Sequence, residues 1–355
     1  MTLRGKNNHY DIKVLSGYRC SISVSEQKLV LKDGIDVFSK NQEIEKFIPQ
    51  TIPYSRIVIC GKGGYLSTKA VQLLSQNHIN VIFLDSFGNL VATLHEVMSS
   101  FTGISRRMGQ YDMFRDKTKV LQLQKKLVLS KLESQLDFVD GITREKISNY
   151  LEKIPLTKSY NEIIGIEAKA GIVYRLYYVG LFDEKYEYRS RKNAGRKNKP
   201  RYATNVINAL LNYGFSVLYS EIVKNIHAQG MDPYYGFYHK SHESEQALVY
   251  DLVEPYRVMV ESVVLEFSKT EDRWNRISKC FRLDEKNHYQ ILLDEITVRR
   301  FLETLSRKFN EKTEYVSRFG NRGKEDGIAN TRMSTVMKLQ IEEFAISCSI
   351  IKKHG

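Results

Sequence analysis

Val81-Ile82-Phe83-Leu84 runs through Asp85-Ser86-Phe87-Gly88-Asn89 into Leu90-Val91-Ala92-Thr93-Leu94. Two β-rich runs about a Gly/Asn turn predict a hairpin. Upstream, Arg56-Ile57-Val58-Ile59-Cys60 and Leu29-Val30-Leu31 are further short apolar runs of strand character. One helix interrupts them. Ser67 has an N-cap side chain, and Ala70, Val71, Leu73 and Leu74 give the segment behind it an apolar face. Downstream, Ser99-Ser100-Phe101-Thr102-Gly103 breaks the pattern, and the apolar period then becomes helical. Val120, Leu121, Leu123, Leu127, Val128, Leu132 and Leu136 fall at helical spacing, with charged residues in the gaps. Further helices are expected near 161–179, 204–226, 244–268 and 293–310, and in the tail from Thr331 to Lys352. The fold class is therefore α+β. A small β-rich domain, residues 1–100, has strand edges suited to dimerisation. A larger all-helical domain, residues 101–355, is expected to carry the metal and DNA sites.

The 355 residues include 54 Lys and Arg against 41 Asp and Glu, a formal net charge of +13. A chain this basic gathers on polyanions, nucleic acid first and acidic membrane surface second. Cys20, Cys60, Cys280 and Cys348 form no CxxC pair, which argues against a zinc ribbon and a disulfide scaffold. The expectation is a reduced, cytoplasmic protein. The opening residues hold no apolar stretch of the kind a signal peptide needs, and no run of about 18 apolar residues predicts a membrane span.

Two basic or glycine-rich segments invite a phosphate reading. Gly61-Lys62-Gly63-Gly64 lacks the order of a phosphate loop, and a tight strand-to-helix turn explains it as well. Residues 189–201 are a better case: Arg189, Arg191, Lys192, Arg196, Lys197, Lys199 and Arg201 make seven basic positions of thirteen. A solvated loop is the bland alternative. Such a cluster binds DNA by releasing counterions from phosphates.

Three segments of the helical half each offer a metal ligand. Glu167 lies in the apolar helix Ile163-Ile164-Gly165-Ile166-Glu167-Ala168-Lys169-Ala170. A carboxylate there must be paired, hydrogen-bonded or metal-bound if buried. A salt bridge, to Lys169 or a distant Arg, is the alternative. His239 ends the turn-rich loop Gly230-Met231-Asp232-Pro233-Tyr234-Tyr235-Gly236-Phe237-Tyr238-His239. A packed loop whose histidine donates to a carbonyl is equally compatible. Asp251 and Glu254, three residues apart in Leu248-Val249-Tyr250-Asp251-Leu252-Val253-Glu254-Pro255-Tyr256-Arg257, share a face if helical. A divalent cation relieves their repulsion, and so could Arg257. Pro255 disfavours helical geometry at Glu254 and could re-aim it. As a set, carboxylates with one imidazole and no thiolate suit Mg²⁺ or Mn²⁺ better than Zn²⁺.

These segments, in this order, resemble the CRISPR-associated adaptation endonuclease and integrase family, the first of the CRISPR-associated proteins. IGIEAKAGIVY resembles its Gly-x-Glu helix, and NALLNYGFSVL its Asn-x-Leu-x-x-Tyr-Gly helix. GMDPYYGFYH resembles its Gly-Leu-Asp-Pro…His loop, and LVYDLVEPYR its Asp-Leu-x-Glu-Pro-Phe-Arg helix. RIVICGKGGYLSTKAVQLLSQNHINVIFLDSFGNLVATL resembles its β-domain, and a helix following Arg106-Arg107-Met108-Gly109-Gln110-Tyr111 also fits. The resemblance implies a β-sandwich-like N-terminal domain and a metal held by Glu167, His239 and Glu254, with Asp251 beside them. It further implies a homodimer and a complex with a second, small CRISPR adaptation protein. Together these insert foreign DNA fragments into a repeat array by attack of a 3′-hydroxyl on a phosphodiester. Asn205, Gly171-Ile172 and Lys240-Ser241-His242-Glu243 depart from the family's usual residues. A structure-specific DNA repair nuclease would share the metal chemistry, whereas a non-catalytic nucleic-acid scaffold would need no converging ligands.

Overall fold

The computed structural model describes residues 11–35, 41–94, 103–191, 203–239, 246–269, 281–283, 289–320 and 330–348. The chain divides into two compact units, each discontinuous in sequence. The first comprises Met1–Val97, Lys185–Ser220 and Val263–Lys308; the second comprises Met98–Glu184, Glu221–Ser262 and Phe309–Gly355. Residues after 100 thus contribute to both.

The first unit is built on one six-stranded sheet in the order β3-β2-β1-β4-β5-β6. Its strands are β1 (Asp11–Ser25), β2 (Lys28–Lys32), β3 (Ile44–Phe47), β4 (Tyr54–Leu66), β5 (Asn80–Leu84) and β6 (Leu90–Leu94). β1–β4 and β4–β5 pair in parallel and the other neighbours are antiparallel. The backbone hydrogen bonds therefore join all six strands into one continuous sheet, rather than two separately bonded layers. α1 (Thr68–Gln76) supplies the crossover between β4 and β5. Ser67 caps it as its side chain dictates, accepting from Ala70 N at 3.2 Å. Ala70 and Leu74 on its inner face join Leu15, Ile22, Leu29, Leu31, Ile57 and Val81 in the core.

The β5–β6 hairpin forms as its sequence requires. Gly88 takes φ +78°, a left-handed conformation that glycine adopts without a steric cost. A helix from the second half of the chain braces this turn. In α6 (Val206–Ala228), Tyr213 Oη donates to Ser86 O at 3.2 Å and Ser216 Oγ donates to Gly88 O at 2.6 Å. By length and composition α6 could cross a bilayer, but 83% of its apolar window is buried inside the protein, as in a core helix. Gly61–Gly64 is neither a phosphate loop nor a turn: it lies inside β4. Gly64 pairs with Cys20, close enough that a Cβ there would meet the Cys20 backbone.

The second unit is mostly helical. Its helices are α2 (Gly103–Arg115), α3 (Lys117–Phe138), α4 (Gly141–Leu151), α5 (Tyr160–Gly180), α7 (Ala247–Val253), α10 (Met333–Ser347), the end of α6 and the start of α8 (Arg257–Ser268). Sequence periodicity missed α4 and three-residue strands: β7 (Phe281–Leu283) with β8 (Tyr289–Ile291), and β9 (Lys312–Glu314) with β10 (Asn330–Arg332). α9 (Glu295–Asn310) follows β8. Strands of three residues are too short to show a period. α7 and α8 are separated by a 3-10 turn, Glu254–Tyr256, because Pro255 interrupts the helix there.

Candidate active site

The loop before His239 is held from several sides. Gly230 ends the preceding helix at φ +71° and passes so close to Gly103 that a Cβ would strike its backbone. Gln110 is fully buried in α2. Its Nε2 donates to Asp232 O at 2.9 Å and Tyr235 O at 2.7 Å, while its Oε1 accepts from Asp232 N at 2.9 Å. Gln124 of α3 donates to Phe237 O at 2.7 Å, and Tyr111 donates to the Asp232 carboxylate at 2.7 Å. Buried backbone groups need such partners, so the Arg-Arg-Met-Gly-Gln-Tyr segment works as the scaffold of the His239 loop.

Asp251 closes the loop from the other side. Its Oδ2 accepts the N–H groups of Phe237 and Tyr238 at 2.5 and 3.0 Å, and its Oδ1 accepts His239 N at 2.8 Å. Oδ1 also lies 2.9 Å from His239 Nδ1. That contact leaves Nε2 as the imidazole nitrogen available to a ligand. Burial opposes the charged imidazolium, but Asp251 and then Glu254 favour it more strongly, and the His239 pKa lies above its ordinary value.

Glu167 of α5 and Glu254 of the 3-10 turn converge on a residue that the sequence reading passed over. Lys131 Nζ lies 2.5 Å from Glu167 Oε1 and 2.7 Å from Glu254 Oε2. Arg257 meets the other oxygen of Glu254 at 3.1 Å. Burial would raise the Glu254 pKa, but Lys131 and Arg257 hold it down at about 2. A signal for Lys131 was present. Gln124, Leu127, Val128 and Gln135 are buried on α3, and Lys131 stands at their helical spacing, a lysine on an inward face.

The structure thus brings Glu167 and Glu254 together on one cationic point, with His239 within electrostatic reach of Glu254 and Lys131. Asp251 is turned away to the loop. Among the described residues, no three His, Cys, Asp or Glu side chains stand close enough to hold a metal as placed. The donor chemistry fits one all the same. Two carboxylates and an imidazole are ligands for Mg²⁺ or Mn²⁺, and the buried Glu254 Oε2 is ion-paired to Lys131 without a hydrogen bond of good geometry. A cavity of about 690 Å³ adjoins His239, walled by Phe114, Tyr160, Phe237 and Tyr238 with Lys117 and Lys158.

Of the basic loop, Arg189 and Arg191 are described and both are exposed; Lys192, Arg196, Lys197, Lys199 and Arg201 lie outside the described residues, as do Lys240–Glu243. Arg191 is anchored: its guanidinium donates to Asn212 Oδ1 at 3.1 Å and stacks over Phe215.

Residues 14–307 match the sequence profile of the family described as CRISPR associated protein Cas1. The chain belongs to the Cas1 family. It is 28% identical over 329 residues to a CRISPR-associated endonuclease Cas1 of Archaeoglobus fulgidus, covering 86% of this chain and 90% of that one. Its fold is similar to a casposase bound to integration product, with TM-score 0.79 and 27% identity over 95% of this chain and 90% of that chain. It is also similar in fold to a chain of a Cas6-RT-Cas1–Cas2 complex, with TM-score 0.68 and 17% identity over 97% of this chain and 36% of that one. The segments whose resemblance to this family is given above supply the residues of the site: IGIEAKAGIVY carries Glu167, GMDPYYGFYH carries His239, and LVYDLVEPYR carries Asp251 and Glu254. Membership places this chain among the nucleases and integrases of CRISPR adaptation.

Proposed function

We propose that this chain is a metal-dependent DNA endonuclease and integrase that inserts foreign DNA fragments into a CRISPR repeat array. The strand-joining step is attack of a DNA 3′-hydroxyl on a phosphodiester, forming one P–O bond while the bond to the leaving 3′-oxygen breaks. The observation that carries the reading is the convergence of Glu167 and Glu254, in a Cas1 chain, on one cation position beside His239. Glu167, Glu254 and His239 Nε2 would hold Mg²⁺ or Mn²⁺. Such an ion, when bound, polarises the phosphate and lowers the pKa of the attacking hydroxyl or water.

The chain's own groups do the positioning. Asp251 fixes the orientation of the His239 ring, and Arg257 anchors Glu254. Lys117 and Lys158 in the cavity, and Arg189 on the basic loop, offer cations to DNA phosphates. The proposed partners are DNA, a second copy of the chain and a small second adaptation protein. The last is supported by the Cas1–Cas2 assembly named for a protein of the same fold. For the homodimer the sheet offers its edge strands, with exposed Ile44 on β3 and exposed Val91 on β6.

The test uses a branched DNA substrate that mimics a half-inserted fragment. His239→Ala is expected to abolish Mn²⁺-dependent cleavage and joining while leaving DNA affinity nearly intact, because phosphate contacts carry most of that affinity. Glu167→Ala and Glu254→Ala should behave alike, and the double variant should lose little more, since groups acting as a unit are not additive. Wild-type turnover by His239→Ala would end the reading. Joining that is indifferent to repeat sequence, without insertion into an array, would favour a repair nuclease instead.

A further inference from the structure

We infer that Lys131 is a built-in counter-ion of this site, seated where a divalent metal must bind, so that metal entry displaces the lysine. The inference rests on the metal-site reading above and goes beyond it. Lys131 Nζ bridges Glu167 Oε1 at 2.5 Å and Glu254 Oε2 at 2.7 Å. Two carboxylates drawn to one ammonium, Glu254 buried and Glu167 half-buried, repel each other, and the cation between them relieves that repulsion. Glu254 has both oxygens engaged, one by Lys131 and the other by Arg257. An ion that takes both glutamates competes with the cation already seated between them, and among the described residues Lys131 is the one that touches the two.

The two occupants also exclude each other by charge. Carboxylate oxygens approach Mg²⁺ at about 2.0–2.1 Å. An ammonium held to the same pair of oxygens would then face the ion across a gap with nothing to screen it. The lysine has somewhere to go. It ends a flexible four-carbon stem, and its side chain is 19% exposed, so a path to water exists. Arg257, three residues from Glu254 on the following helix, stays behind to orient that carboxylate. The device keeps the glutamates together before the ion arrives. It also sets the metal affinity lower than the donors alone would give.

The test is Mn²⁺ binding to the full chain, by calorimetry and by the electron-spin signal of free Mn²⁺, for wild type, Lys131→Met and Glu167→Gln. Lys131→Met keeps the stem and removes the charge. It should bind Mn²⁺ about tenfold more tightly or better. It should also melt lower in chelator and gain more from added Mn²⁺ than wild type. Equal or weaker Mn²⁺ binding by Lys131→Met overturns the inference while leaving the metal site standing, provided Glu167→Gln weakens binding. Mn²⁺ binding indifferent to Glu167→Gln removes the metal site and this inference with it. Should Lys131→Met fail to fold, wild-type protein decides through reductive dimethylation mapped by mass spectrometry. Lys131 should be modified slowly in chelator and several-fold faster with Mg²⁺, and Mg²⁺ that protects it or has no effect overturns the displacement.

Discussion

His239 and Asp251 form a single unit: the imidazole Nδ1 lies 2.9 Å from the carboxylate that also accepts the backbone N–H of His239 at 2.8 Å. In sequence, Asp251 reads as a possible fourth metal ligand. In the structure its oxygens are spent on the His239 loop, and they include N–H contacts to Phe237 and Tyr238. Asp251→Ala leaves two buried N–H donors, of Phe237 and Tyr238, and the part-buried N–H of His239 without this partner, each buried one worth about 1–3 kcal/mol. Urea denaturation in chelator should show a loss of about 3 kcal/mol or more. A variant as stable as wild type would mean that the loop stands without Asp251.

The same pair sets a pH dependence. The folded His239 pKa lies above 6.5, because Asp251 and Glu254 outweigh the effect of burial. A raised folded pKa gives stability that is fully present below about pH 6.5 and is lost as pH rises through the folded value. The stability gap between wild type and His239→Gln, in chelator, should therefore shrink as pH climbs from 6.5. Glu254 has the opposite sign: its folded pKa of about 2 gives stability present above pH 4.5 and lost as pH falls toward 2. NMR titration of the His239 ring provides the direct check, and a midpoint below 6.5 would contradict the pairing.

How much of this was legible beforehand follows from which interactions are local. Ser67 capping α1 and the Gly88 turn are set within a few residues, and both were readable. Pro255 announced a break beside Glu254 for the same reason. Glu167, His239 and Glu254 were found as motifs, each within about ten residues of sequence. Lys131 lies 36 residues before Glu167, and nothing in its own neighbourhood names that partner. Only its place on the buried stripe of α3 marked it. The spacing of Asp251 to Glu254 left open whether it is a ligand or a support beside the ligands, because its bonds to the His239 loop span 12 to 14 residues and no local pattern shows them. The units were least visible, since 185–220 and 263–308 return to the sheet through contacts far apart in sequence.

Gln110 makes three hydrogen bonds to the His239 loop from a fully buried position. Gln110→Leu is apolar and one atom shorter, with none of the donors or acceptors. It should destabilise the chain by about 2–4 kcal/mol, since two carbonyls and one N–H lose their partners. It should also weaken Mn²⁺ binding by loosening His239, whereas a surface change such as Lys119→Ala should do neither. Thermal melts and Mn²⁺ titration of Gln110→Leu check both parts, and wild-type values in each would remove α2 from the account of the site.

Arg189 and Arg191 separate two roles that sequence alone merges into one basic loop. Arg191 is tied to α6: it donates to Asn208 O at 3.3 Å and Asn212 Oδ1 at 3.1 Å, with its guanidinium 5.3 Å from the Phe215 ring centre. Arg189, two residues earlier, is exposed. If both touch DNA, each neutralisation should lower the slope of log affinity against log salt by about 0.9 for duplex DNA. Arg191→Ala should in addition lower the melting temperature, because it removes a stacked, hydrogen-bonded guanidinium worth about 1 kcal/mol or more. Arg189→Ala should leave melting unchanged. Filter binding across a salt series, paired with thermal melts, reads both effects. An unaltered salt slope in the double variant returns this part of the loop to a solvated surface, and an unaltered melt for Arg191→Ala makes its contacts to α6 dispensable.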